Sequence, residues 1–155
     1  MTHDQLLLAI QSLNAEDAFR PRFDPSQWRV FLQYLTRHEV RPGDLLLKQG
    51  EPDRTVYFLG QGTLQVYVSG GAPGANKIAI LRPGAMCGEP GLFADGPRTA
   101  NVEAMTPCIV WALRLPRFEE LGQRVPAVAL EALRAAGAVM ATRLRANMAR
   151  QMPVT

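Results

Sequence analysis

The sequence has few of the residues from which metal and redox sites are built. Its 155 residues include two cysteines, Cys87 and Cys108, and two histidines, His3 and His38. No Cys-x-x-Cys pair occurs, and structural zinc and iron–sulfur sites need several such ligands close together. A metal-dependent barrel enzyme needs clustered histidines and carboxylates, so we expect neither an enzyme nor a bound cofactor or metal.

Long apolar runs are also missing. No segment approaches the roughly 18 consecutive apolar residues that a membrane-spanning helix requires. The N-terminus has no basic region, and the apolar run Leu6–Ile10 is too short for a secretion signal. We therefore expect a soluble, cytoplasmic protein that makes no contact with a membrane.

The composition is that of one ordinary globular domain. Hydrophobic residues make up 47% of the chain and charged residues 20%, and a chain of about 150 residues buries enough surface for a core without disulfides. The formal net charge is +3, and the basic excess lies in residues 114–155, where seven arginines face three glutamates. We interpret this excess as a solvated helix face rather than a nucleic-acid surface.

Helical patterns occupy both ends of the sequence, and strand patterns occupy the middle. Apolar residues recur at helical spacing over residues 6–13, and Asp24-Pro25 is a start signal for a second helix. Short strands separated by glycine and proline turns are predicted at 45–48, 56–59, 64–68, 77–81, 99–104 and 108–113. The pattern predicts a mainly β fold with flanking helices, a jelly-roll barrel of about eight short strands.

Two further helices are predicted at the C-terminal end. One opens at Pro116 and runs to about Arg124, and the other runs from near Pro126 to about Met152. In the second helix, apolar residues repeat at intervals of three and four: Leu130, Leu133, Gly137, Met140 and Leu144. Such a seam packs closely either on the barrel or against another protein, which includes a second copy of this chain. The sequence leaves both arrangements open.

Residues 87–102 carry the chemistry of the sequence. A short helical turn can begin after Glu89, and the N–H groups of Gly91 and Leu92 would then face an anion. Arg98 follows closely enough to fold back over the same anion, and a guanidinium is well shaped for a phosphate. Glu89 is repelled by a phosphate but can accept a hydrogen bond from a ribose hydroxyl. One segment thus offers a phosphate clamp and a sugar acceptor.

This arrangement resembles the phosphate-binding cassette of the cyclic nucleotide-binding domain family, of the catabolite activator and protein kinase A regulatory subunit type. The resemblance covers roughly residues 25–150. Its motifs are Arg41-Pro42-Gly43-Asp44, Gly50-Glu51, Val56-Tyr57-Phe58-Leu59 with Gly62, Arg82-Pro83-Gly84, Gly88-Glu89 and Pro97-Arg98-Thr99-Ala100. The resemblance implies a stand-alone sensor that binds cAMP or cGMP, with cAMP preferred, and whose last helix moves when the nucleotide binds.

The resemblance also implies a role for individual residues. The phosphate would be held by Arg98, Thr99, Ala100 and the N–H of Gly91, and the ribose by Glu89 and Gly88. The remaining pocket and base contacts would come from Val66, Ile78, Ala79, Leu81, Cys87, Pro90, Arg143, Asn147 and Met148.

The same resemblance implies a division of the chain. Residues 1–24 would be an N-terminal helical extension, residues 25–126 the barrel with its first helix and hinge helix, and residues 127–155 a lid or dimerisation helix. Transcription regulators of this kind add a helix-turn-helix after the long helix. Because the sequence stops at Thr155, DNA is not an expected partner unless the sequence is a truncated piece.

A ligand-free scaffold remains the alternative. Cys87 and Pro90 depart from the family pattern on either side of the Gly88-Glu89 pair, and they favour a barrel that has lost its ligand. In that case Arg98 would be a structural residue, paired with Glu89 or Asp95 across the loop.

Overall fold

The computed structural model describes residues 1–70 and 77–151. Its helices and strands, in chain order, are α1 (His3–Ser12), α2 (Pro25–Leu32), β1 (Thr36–Val40), β2 (Leu45–Leu47), β3 (Val56–Gln61), β4 (Leu64–Tyr67), β5 (Lys77–Leu81), β6 (Met86–Cys87), α3 (Pro90–Phe93), β7 (Asn101–Ala104), β8 (Cys108–Leu113), α4 (Leu115–Arg124) and α5 (Pro126–Gln151).

The strands form two four-stranded antiparallel sheets, in the orders β1-β8-β3-β6 and β2-β7-β4-β5. This is the jelly-roll architecture that the sequence predicts, with helices at both ends. All six predicted strands are confirmed, two with the predicted bounds and four with one end that differs by one or two residues. The predicted end of the last helix at Met152 lies outside the described residues.

The second helix starts as its sequence predicts. Asp24 is the N-cap, and its carboxylate accepts a hydrogen bond of 2.8 Å from the backbone N–H of Gln27. The side chain of Gln27 accepts in turn from the N–H of Asp24 at 3.0 Å, which completes a capping box. Pro25 occupies the first turn, where it lacks only an N–H that would have no partner within the helix.

Two strands do not follow from local patterns. β1 is mostly polar, but it pairs along its whole length with β8, from Thr36 opposite Ala112 to Val40 opposite Cys108. The ladder to a buried neighbour therefore sets its conformation, because strand preference depends strongly on tertiary context. β6 has two residues, which is too short for any periodicity.

The sequence Gly60-Gln61-Gly62 predicts a tight turn, but β3 continues through Gly60 and Gln61, so the chain turns only from Gly62, whose φ is +97°. Gly60 allows the side chains of Met1 and Trp111 to pack closely against β3 instead. A Cβ atom at this position would lie 2.4 Å from Met1 Sδ and 3.0 Å from Trp111 Nε1, well inside normal contact distance.

Two hydrophobic cores hold the fold together. The first lies between the helices and the β1-β8-β3-β6 sheet and is centred on Phe19, Phe31 and Phe58. The second fills the barrel and includes Leu59, Leu64, Val102 and Val110. The second core forms the floor beneath the cavity described below.

The long helix α5 packs on the first core mainly through small residues, and the predicted seam is divided: Leu133 packs against that core, and Met140 lines the cavity described below. Its buried residues include Val128, Ala129, Ala132, Ala135, Ala136 and Val139, and alanine allows a close approach between elements. Leu130 and Leu144 of the seam are exposed. None of the helices in residues 1–70 and 77–151 is both long and apolar enough to span a membrane.

Candidate functional site

A cavity of about 520 Å³ lies between the barrel, α3 and α5. The predicted site residues that line it are Val66, Ala79, Leu81, Cys87, Gly88, Glu89, Pro90, Gly91, Arg98, Thr99, Ala100, Arg143 and Asn147. The side chain of Ile78 lies outside the described part of the structure. Met148 is not in the lining and is 43% exposed, because it is rotated by about 100° around α5 from its neighbour Asn147.

The sequence folds tightly around Gly88. Its φ is +81°, and a Cβ atom here would lie 2.8 Å from the carbonyl oxygen of Thr55 and 2.9 Å from Nη1 of Arg98. Only glycine meets both demands without strain. Gly88 therefore brings the cassette backbone against the guanidinium of Arg98.

The turn after Glu89 forms as predicted, with Pro90 at the first position of α3. The prediction that Gly91 and Leu92 have free N–H groups is wrong, however. The N–H of Gly91 donates to the carbonyl of Gly88 at 3.1 Å, and that of Leu92 donates to the carbonyl of Glu89 at 3.0 Å. The tight turn uses these donors itself, so Arg98 carries more of any anion binding here.

Arg98 is a buried cation on the cavity wall, with 5% of its side chain exposed. Its Nη1 donates to the carbonyl of Gly88 at 3.2 Å, and its Nη2 donates to the carbonyl of Thr55. Nη2 also lies 3.3 Å from Oδ2 of Asp53. Among the described residues, Nε has no hydrogen-bond acceptor, so this guanidinium retains an unused donor.

Asp53 is the ion-pair partner of Arg98, in place of the Glu89 or Asp95 that the scaffold alternative proposes. The carboxylate accepts hydrogen bonds from the N–H and the hydroxyl of Thr55, at 3.1 and 3.0 Å. Burial raises the pKa of Asp53, but the bonds from Thr55 and the charge of Arg98 outweigh it and hold the pKa below its ordinary value. The sequence around Asp53 indicates only a turn. The pairing of Asp53 with Arg98 could not be predicted, because the two residues are far apart in the chain.

Glu89 is paired with Arg143 of α5. Nη1 of Arg143 lies 3.0 Å from Oε2 of Glu89, whose side chain is 5% exposed. The same guanidinium donates to Asp17 at 2.8 Å through Nε and to the carbonyl of Met86 at 2.7 Å through Nη2. Burial lowers the pKa of Arg143, but the carboxylates of Glu89 and Asp17 raise it by more than burial lowers it. The pKa therefore lies above its ordinary value, and the group is charged.

Asp17 is a second cavity residue that the sequence does not reveal. It belongs to the segment between α1 and α2, and it lines the cavity beside Arg143. An isolated Asp in a connecting segment carries no motif, so only the folded chain brings it to the site.

Cys87 is a neutral part of the wall. Burial raises the pKa of its thiol to about 12, with a further rise from the Glu89 carboxylate that Arg143 and Arg98 partly offset. It therefore acts as a small apolar residue rather than a reactive thiol. Within the described ranges, no group of three or more His, Cys, Asp or Glu side chains could hold a metal ion.

The comparison with known proteins agrees with this geometry. Residues 37–125, more than half of the chain, match the family described as "Cyclic nucleotide-binding domain". The chain belongs to the cyclic nucleotide-binding domain family, whose ligand is cAMP or cGMP.

The match to one relative extends on both sides of the family segment. The chain is 30% identical over 138 residues to the cAMP-activated global transcriptional regulator CRP of Escherichia coli, covering 88% of this chain and 59% of that protein. It is 31% identical over 103 residues to a hyperpolarization-activated cyclic nucleotide-gated channel of Mus musculus, covering 66% of this chain and 11% of the channel. These relatives are a regulator and a channel, not enzymes.

Solved structures share the fold. A cyclic nucleotide-binding domain from Methylobacillus flagellatus superposes with a TM-score of 0.80 at 19% identity, covering 99% of this chain and 84% of that one. The catabolite activator protein of Thermus thermophilus gives a TM-score of 0.71 at 25% identity, covering 84% of this chain and 59% of that one. The chain thus spans about 59% of the regulator that it matches.

Proposed function

We propose that this chain is a cyclic nucleotide sensor that prefers cAMP to cGMP and repositions α5 when the nucleotide binds. The observation that carries the proposal is the pair of buried, opposite charges, Arg98 and Glu89, on the wall of one cavity of about 520 Å³. A cyclic nucleotide offers the matching groups, an anionic phosphate and a ribose hydroxyl, fused in one rigid ring system.

Each half of the ligand meets suitable chemistry. The guanidinium of Arg98 on the cavity wall supplies the positive charge for the cyclic phosphate, and Thr99 and Ala100 also lie on the lining. Glu89 accepts a hydrogen bond from the 2′-hydroxyl of the ribose. The base then lies against the apolar side chains of the barrel, among them Val66, Ala79 and Leu81. The preference for cAMP is supported by the similarity of the chain to the cAMP-activated regulator CRP.

The lid role of α5 follows from Arg143. This residue ties α5 to Glu89 on the cassette, so a ribose that hydrogen-bonds to Glu89 beside Arg143 acts on the contact that holds the helix. In this proposal residues 127–155 are the lid, residues 25–126 are the nucleotide-binding barrel with α4 as the hinge, and residues 1–24 are the extension. Binding then shifts a population between helix positions.

The output of the sensor is a protein contact through the outer face of α5. Leu130 and Met148 are large apolar side chains exposed on this helix, whereas Leu144, which is also exposed, lines the cavity. Exposed apolar side chains at helical spacing suit a partner helix or a second copy of the chain.

The first test is calorimetric titration of cAMP and cGMP into protein that has been unfolded and refolded to remove carried-over ligand. The control is 5′-AMP, whose open phosphate monoester carries more charge than the cyclic diester. We expect both cyclic nucleotides to bind, cAMP more tightly, and 5′-AMP to bind far more weakly. If no cyclic nucleotide binds, the sensor proposal fails and the scaffold alternative replaces it.

A further inference from the structure

The cavity is more acidic than a site for an anion requires. Its lining contains four carboxylates and two guanidiniums, namely Asp17, Asp53, Glu89 and Asp95 against Arg98 and Arg143. Glu89 and Asp17 are both paired with Arg143. Arg98 is the guanidinium that would face the phosphate. It also has a carboxylate partner, Asp53.

Asp53 is not needed to position Arg98. The guanidinium is already held by two backbone carbonyls, those of Gly88 and Thr55. The main chain of Arg98 is fixed as well, since its N–H donates to the carbonyl of Glu51 at 2.9 Å and its carbonyl accepts from Gly50 at 2.8 Å. Without Asp53, these four contacts would still keep the guanidinium on the cavity wall.

Asp53 is itself held in place independently of Arg98. The two hydrogen bonds from Thr55 fix the carboxylate at the end of its loop. Its side chain is 42% exposed, so solvent can replace Arg98 as its partner at little cost. The geometry is that of a fixed negative charge beside a cation, not of a group that orients the cation.

We propose that Asp53 is a built-in competitor of the cyclic phosphate for Arg98, which lowers the affinity of the site and stabilises the protein when no nucleotide is bound. This inference rests on the proposed function. A phosphate on Arg98 must either displace the Asp53 carboxylate or lie close to it, and like charges repel in both cases. A site with this device releases its ligand more readily than the same site without it.

The test is the variant Asp53→Asn, titrated with cAMP beside the wild-type protein. We expect its affinity for cAMP to rise about two- to fivefold, as suits a partly exposed ion pair. The melting temperature without nucleotide should fall, and the shift that cAMP produces should grow. Asp95→Asn is the matched control, because it removes the same charge from the same lining without an ion pair to Arg98 among the described residues, and its gain should be smaller.

The outcomes separate the two claims. Tighter binding by Asp53→Asn than by Asp95→Asn supports the inference. Weaker or unchanged binding by Asp53→Asn, while the wild-type protein binds cAMP, overturns the inference alone and assigns Asp53 a positioning or neutral role. If neither protein binds a cyclic nucleotide, the proposed function fails and the inference fails with it.

Discussion

The two cavity arginines are held in different ways. Arg98 is 5% exposed and is fixed by the backbone of the barrel and its loops. Arg143 is 23% exposed and is held mainly by two carboxylates, one on the cassette and one on the segment before α2. The first arginine belongs to the rigid part of the fold, whereas the second comes from a helix that packs on the barrel through small residues.

In the proposed function, this difference separates the part of the site that binds the nucleotide from the part that responds to it. In this proposal, the end that binds the phosphate is formed before any ligand arrives, because the backbone carbonyls of Gly88 and Thr55 already hold the Arg98 guanidinium. The end that would bind the ribose depends on the position of α5, because Arg143 of this helix holds Glu89. Affinity is therefore expected to come mainly from the phosphate end, and the response from the ribose end.

The largest expected effect concerns the reactivity of the Cys87 thiol in the cavity wall. Because burial and the charge of Glu89 raise the pKa of Cys87 to about 12 from an ordinary 9.0, its thiolate fraction at pH 7.5 falls about a thousandfold. In a Cys108→Ala background, labelling by a disulfide reagent should be slower than labelling of the unfolded chain by about thirtyfold or more, since the rarer thiolate is also the more nucleophilic one. Rapid labelling of the native protein would contradict a preformed wall at this end.

Arg98→Ala should cause the largest loss of affinity. It removes a charge-assisted contact worth roughly 1.5–3 kcal/mol or more, which is about tenfold to over a hundredfold in the dissociation constant for cAMP. Calorimetric titration measures the loss, and thermal unfolding checks that the variant is folded. Arg98→Lys should recover only part of the affinity, because it keeps the charge but not the planar fork. Equal affinity for cAMP in the wild-type protein and the alanine variant would show that Arg98 does not bind the phosphate.

Arg143→Ala should weaken cAMP binding about tenfold. The variant leaves Glu89 without its ion-pair partner and frees α5 from the cassette. Arg145→Ala is the matched control, since it removes an exposed arginine from the same helix. Equal effects of the two substitutions on the dissociation constant would show that only the charge of α5 matters.

Asp17→Asn should have the smallest effect, a loss of cAMP affinity of about two- to threefold, as expected for a partly exposed pair. Its carboxylate steadies Arg143 at 2.8 Å but touches the ligand only through that residue. Glu16→Gln, an exposed neighbour, serves as the control in the same titration. A loss as large as that of Arg143→Ala would make Asp17 a direct ligand contact.

The sequence contains most of the fold because its signals are local. The capping residues Asp24 and Gln27, the turn glycines and the alternating strands each act within a few residues. The cassette is also local, since Gly88, Glu89 and Arg98 are close in the chain. These local features allow the position of the cassette, and of the cavity beside it, to be predicted from the sequence.

The missing parts of the site depend on contacts between distant segments. Asp53 and Asp17 reach their arginines across 45 and 126 residues of chain (98 minus 53, and 143 minus 17), and no spacing rule connects such positions. The free N–H groups expected at Gly91 and Leu92 are absent for another reason. The turn is tight enough to satisfy its own donors, which only its geometry reveals.

The most direct test of the two-ended site is a titration of cAMP and 2′-deoxy-cAMP into three proteins: wild type, Arg98→Lys and Arg143→Ala. The account predicts that Arg98→Lys weakens both nucleotides by the same factor, because the phosphate is common to them. It predicts that Arg143→Ala weakens cAMP much more than 2′-deoxy-cAMP, because only cAMP has the hydroxyl that Glu89 accepts. Equal losses for the two nucleotides in Arg143→Ala, or a loss confined to cAMP in Arg98→Lys, would contradict the division of the site.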